Sequence, residues 1–141
     1  MSGKKMKGLL SVREAKLMEE HYIKEFYKPL NDMKLSEYPG FKGAVRDIWF
    51  SIEELKEYIA YVENYAKEKN YSEPGLRVYF GAKDEKGQDG KIYPRQTVFF
   101  VPTAKKGGAA DDEQFNLTGL ERLNYGNAGI PDDRDSDQGM P

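Results

Sequence analysis

Arginine and tyrosine residues in two neighbouring segments have the side chains that bind a small anion. Arg77 and Tyr79 occur within "GLRVYFGA", and Tyr93 and Arg95 shortly precede "TVFFVPT". A guanidinium binds a phosphate or carboxylate through two parallel hydrogen bonds, and a phenol stacks on a ligand or donates a hydrogen bond to it. One interpretation is therefore a small anionic-ligand or nucleotide sensor, or a minor enzyme, in which Arg77 and Arg95 clamp the ligand.

The elements that must position these residues are two β-strands, predicted over 76–81 and 97–102. Side chains alternate between the two faces of a strand. Leu76, Val78 and Phe80 then lie on one face, which we expect to pack against helices together with Val98 and Phe100. The other face collects a cation, a phenol and apolar groups: Arg77, Tyr79, Thr97, Phe99 and Val101.

This second face is too apolar to be left uncovered in water. Three covers are possible: a C-terminal strap over 115–131, a second copy of the chain, or another partner. Under the strap, Arg77 would bind a backbone carbonyl or an acid such as Asp112 or Glu121. The sequence favours a non-enzymatic protein-binding or adaptor domain that uses the second face, the strap or both, with Arg77, Tyr79, Tyr93, Arg95 and Phe99 as its binding residues.

Catalytic and metal-binding patterns are weak throughout the sequence. There is no cysteine and a single histidine, His21, so neither a thiolate nucleophile nor a Cys/His zinc site can form. Asp133, Asp135 and Asp137 alternate as in a calcium loop, but Gly139 lies one position late and the bidentate glutamate is missing. We therefore predict no catalytic residue, no metal and no cofactor.

Composition limits the class of protein. The chain has 141 residues, enough for one domain with its own core, and a net charge of −2, which disfavours a dedicated nucleic-acid binder. No apolar stretch is long enough to span a bilayer, and no signal-peptide pattern follows the N-terminal lysines. These features indicate a soluble, cytoplasmic protein with protein partners or self-association and no membrane contact.

Two amphipathic helices are expected to cover the hairpin. "SVRE" from Ser11 and "SIEE" from Ser51 are capping-box patterns. The first opens a helix that Pro29 should end near Tyr27 or Lys28, and the second opens a helix that ends near Asn70. The first helix carries one apolar stripe at three- and four-residue steps: Ala15, Met18, Tyr22, Phe26 and Leu30.

The predicted fold is α+β, with two amphipathic helices packed on one face of a small antiparallel sheet. The sheet consists of the hairpin 76–81/97–102, with 45–50 as a candidate third strand. Along the chain we expect a flexible basic N-terminus, a core domain, a linker, the strap and an acidic disordered tail. Their ranges are 1–10, 11–103, 104–114, 115–131 and 132–141.

Several segments together resemble a set of small uncharacterised bacterial proteins. The likeness covers about residues 45–131 and is carried by "SIEELKEYIAYV", "GLRVYFGA", "TVFFVPT" and "LNYGNAGIP". The resemblance implies no activity, cofactor or catalytic residue for these positions. It does imply that 115–131 belongs to the fold.

Overall fold

The computed structural model describes residues 6–107 and 113–124, and it has the predicted α+β architecture. One long N-terminal helix and one shorter helix accompany a three-stranded antiparallel sheet of order β1–β2–β3. The elements are α1 (Val12–Tyr22), a π-helical turn (Ile23–Tyr27), α2 (Lys28–Glu37), α3 (Ile52–Glu68), β1 (Ser72–Lys86), β2 (Ile92–Lys105) and β3 (Phe115–Asn116).

The N-terminal helix begins as predicted but ends much later. The Ser11 hydroxyl accepts from the Glu14 N–H, and the Glu14 carboxylate accepts from the Ser11 N–H, so the capping box is confirmed. The predicted end near Tyr27 or Lys28 is wrong, because α2 continues to Glu37. Pro29 lies in the first turn of α2, directly after a π turn that widens the hydrogen-bond ladder, so its missing N–H and its ring are accommodated.

The hairpin is far longer than the predicted strands. Pairing between β1 and β2 runs from Ser72↔Lys105 to Lys86↔Ile92, so most of the Gly-, Asp- and Lys-rich segment is strand rather than loop. Most of the charged side chains in this segment are exposed to solvent. The turn is short, with Gly87 N–H donating to the Lys91 carbonyl.

The third strand is not the predicted 45–50 segment. Those residues form no strand of the described sheet, since only Trp49 makes an isolated β-bridge, and the Val45 N–H donates to the Gln96 side chain. The sheet is completed instead by β3, whose residues pair as Thr103↔Asn116 and Ala104↔Phe115. The first two residues of the predicted strap therefore supply the third strand.

Two small cores hold these elements together. Helix α3 packs on β1 and buries Tyr58, Val62 and Ala66, which recur at four-residue steps along one side of the helix. The N-terminal helix instead packs through Tyr27 and Leu30 on a cluster at the hairpin tip. That cluster consists of Phe41, Ala44 and Tyr93, with Tyr38 against its edge.

The boundary between the core domain and the linker lies later than predicted. Strand β2 continues to Lys105 and so includes the start of the predicted linker, where Ala104 is fully buried. The strap is described as far as residue 124. The acidic tail, including Asp133, Asp135 and Asp137, lies outside the described residues.

Candidate functional site

The predicted second face of the hairpin forms with the expected residues. Arg77 pairs with Val101 and Tyr79 with Phe99, and cross-strand partners share a face. The rings of Tyr79 and Phe99 stack with their centroids 5.5 Å apart. Three of the five predicted binding residues, Arg77, Tyr79 and Phe99, therefore lie together.

Residues just before and within β3 form hydrogen bonds with the side chains of this face. The Arg77 guanidinium donates to the Asn116 side-chain oxygen at 2.7 Å and to the Gln114 carbonyl at 2.9 Å. Asn116 in turn donates to the Tyr79 hydroxyl at 2.7 Å. The prediction that Arg77 binds a backbone carbonyl is confirmed, although Arg77 and Tyr79 both remain exposed to solvent.

Arg95 and Tyr93 lie at the other end of the hairpin. From Val101, the partner of Arg77, to Arg95 the strand rises about 20 Å, and Arg95 is buried beside Glu85 at 3.6 Å. Two cations this far apart cannot hold one phosphate or carboxylate. The predicted Arg77–Arg95 clamp is therefore not formed.

Tyr93 instead belongs to a hydrogen-bonded turn. Its hydroxyl donates to the Asp89 carboxylate, which also accepts from the Lys91 N–H at 3.0 Å. The pKa of Asp89 is lowered, mainly by the hydrogen bond from Tyr93 and next by the bond from the Lys91 N–H. The pKa of Tyr93 is raised by the same tyrosine–carboxylate bond and by burial. These groups stabilise the hairpin tip.

This turn should make the stability of the protein depend on pH at both extremes. A lowered carboxyl pKa gives stability that is lost as pH falls through the folded-state value. A raised phenol pKa gives stability that is lost as pH rises beyond the ordinary tyrosine value of about 10. We expect Tyr93→Phe to lower the urea midpoint near neutral pH and to differ less from wild type in acid and in alkali. A difference that is the same at every pH would contradict this assignment.

The first face of the hairpin carries an apolar groove that the sequence did not indicate. Its volume is about 400 Å³, and it lies between α1, residues 45–50 and the strands. Phe80, expected in the core, is 89% exposed on its wall, and Val78 beside it is 53% exposed. The apolar lining consists of Tyr22, Val45, Ile48, Phe50, Phe80, Val98 and Phe100.

Three contacts fix the walls of this groove. The Val45 N–H donates to Gln96 of β2 at 2.8 Å. Arg46 forms an ion pair with Glu19 of α1 at 3.0 Å. The rings of Phe50 and Phe100 meet edge to face with centroids 4.9 Å apart. Residues 45–50 are thus tied to the helix on one side and to the sheet on the other, which leaves the groove between them.

The apolar stripe of the N-terminal helix continues from the groove. Tyr22 lines the groove and stacks on Phe26, with ring centroids 5.8 Å apart. The stripe forms at the predicted spacing, yet Met18 is 60% and Phe26 64% exposed. Stripe and groove therefore form one continuous apolar surface.

The part of the chain that the structure describes contains neither a cluster of metal-ligand side chains nor a helix that could cross a membrane. Within residues 6–107 and 113–124 there is no group of three or more potential ligand side chains close enough to hold a metal ion. None of the helices described is both long enough and apolar enough to cross a membrane.

In comparisons with known proteins, no family model, no curated protein and no solved structure matches this chain. The resemblance to small bacterial proteins stays a prediction.

Proposed function

We propose that this protein is a non-enzymatic protein-binding domain and that its docking site is the apolar groove on the first face of the hairpin. The observation that carries the proposal is Phe80, which is 89% exposed on the wall of an apolar groove. A large aromatic side chain in such a setting gains free energy when a partner removes it from water. The sequence also favours a protein-binding domain, but it places the binding surface on the second face of the hairpin rather than on the first.

The second face supports docking less well. Arg77 and Tyr79 already have hydrogen-bond partners on Asn116, so a ligand there would have to replace these bonds. Docking in the groove does not require Phe80 to break hydrogen bonds, since its apolar side chain is mostly exposed and a partner would displace water from it.

Peptide selection tests this proposal. Peptides selected by display against the immobilised protein are expected to bind Phe80→Ser about tenfold or more weakly than wild type, because they lose an aromatic anchor. Ile92→Ser is the matched control, since Ile92 is also an exposed apolar residue of the hairpin and does not line the groove. Circular dichroism should show both variants folded. Equal losses in both variants, or selected peptides that ignore Phe80→Ser, would overturn the proposal.

A further inference from the structure

The N-terminal helix exposes an apolar stripe and buries none of its own side chains fully. Over Val12–Glu37, where every residue is described, no side chain is buried. Isolated helices are marginal in water and take most of their stability from packing an apolar face. The exposed stripe of Met18, Tyr22 and Phe26 therefore needs an apolar surface on which to lie.

The same chain offers such a surface in its groove. The stripe is convex and the groove is concave, and Tyr22 belongs to both. A two-fold interface requires one patch that complements itself, so that each copy supplies both parts. We propose, resting on the docking function above, that the occupant of the groove is a second copy of this chain, with the stripe of each copy seated in the groove of the other.

Three residues alone supply about two thirds of the area that a specific interface needs. The exposed parts of Tyr22, Phe26 and Phe80 amount to roughly 400 Å² per copy, since each such side chain carries about 150–250 Å². Two copies bring together roughly 800 Å² before Met18, Val78 and the groove lining are counted. Specific interfaces bury about 1,200–2,000 Å² in total.

The mass of the full chain in solution tests the inference. Light scattering and sedimentation should show a dimer whose fraction rises from low micromolar to sub-millimolar concentration. Phe26→Ser in the stripe and Phe80→Ser in the groove are each expected to weaken dimerisation about tenfold or more. The controls Ile92→Ser and Leu35→Ser replace exposed apolar residues away from this surface and should dimerise like wild type.

Mixing the two variants distinguishes reciprocal docking from other modes of association. A heterodimer of Phe26→Ser with Phe80→Ser keeps one wild-type stripe in one wild-type groove, while either homodimer has none. The mixture should therefore dimerise more strongly than either variant alone. A dimer that neither variant weakens, or a mixture without this gain, overturns the inference.

The outcome separates this inference from the proposed function. A wild-type chain that stays monomeric at all concentrations but binds selected peptides through Phe80 overturns the second-copy occupant and leaves the docking function standing. A monomer whose groove also fails to bind peptides overturns both, as expected if another segment of the same chain fills the groove.

Discussion

Leu117→Ala is expected to lower the free energy of unfolding by about 2–4 kcal/mol, the usual cost of a large-to-small change in a core. Leu117 follows β3 and is only 2% exposed. Its N–H donates to the Pro102 carbonyl at 2.8 Å, and its own carbonyl accepts from Arg122 at 2.7 Å. Removing its side chain leaves a cavity beneath a segment that these bonds hold in place.

Urea unfolding monitored by circular dichroism measures this change. Leu9→Ala is the matched control, because Leu9 is the same residue type and is exposed, and it should change the stability by less than about 0.5 kcal/mol. If Leu117→Ala cost no more than Leu9→Ala, the segment after β3 would not be part of the cooperative fold. The expected result would instead support the prediction that the strap belongs to the domain.

Gly87→Ala is expected to destabilise the hairpin tip by about 1–3 kcal/mol through overpacking. A Cβ at this position would overlap the Gly40 carbonyl oxygen and lie 2.6 Å from carbons of the Tyr93 ring. Neither neighbour moves freely. The Gly40 oxygen accepts from the Gln88 N–H at 3.2 Å, and the Tyr93 ring packs on Phe41 and Ala44.

The Tyr93 environment reports on this variant directly. Near-ultraviolet circular dichroism should change along with the unfolding midpoint, since Tyr38 and Tyr93 meet edge to face at the displaced contact. Gln88→Ala, at the adjacent exposed position, should leave both measurements close to wild type. If Gly87→Ala were as stable as wild type, the close contact between the Gly40 carbonyl oxygen and residue 87 would not persist in solution.

The parts of the fold that local sequence determines were predictable. The Ser11 and Ser51 caps depend on residues three positions apart: the Ser11 capping box forms completely, while at Ser51 the hydroxyl accepts from the Glu54 N–H and donates to the Glu54 carboxylate. The buried residues of α3 follow from helical periodicity, and the faces of Arg77 and Val78 follow from strand alternation. In each case the partners lie close together in sequence or in a regular repeat.

The groove could not be predicted because it depends on the relative lengths of elements. Strand β1 extends over about 50 Å, whereas α3 is about 25 Å long, so one helix cannot cover the hairpin. Phe80 therefore has the alternation of a core residue but lies beyond the helix. Asn116 was missed as the partner of Arg77 for a similar reason, since the two residues meet only when β3 joins the sheet.

The π-helical turn at Ile23–Tyr27 divides the N-terminal helix into two units of different local stability. Beyond this turn, α2 is anchored near the hairpin tip, where Asn31 accepts from the Ala44 N–H at 2.7 Å. Neither helix buries a side chain fully, but Leu30 of α2 packs on the cluster of Phe41, Ala44 and Tyr93, whereas α1 is held by its cap and the Glu19–Arg46 ion pair. Amide hydrogens of α1 should therefore exchange with solvent sooner than those of α2, as a separate cooperative unit. The helix that carries the stripe would then open and close without unfolding the sheet, so its ordering could set the rate at which the groove is filled.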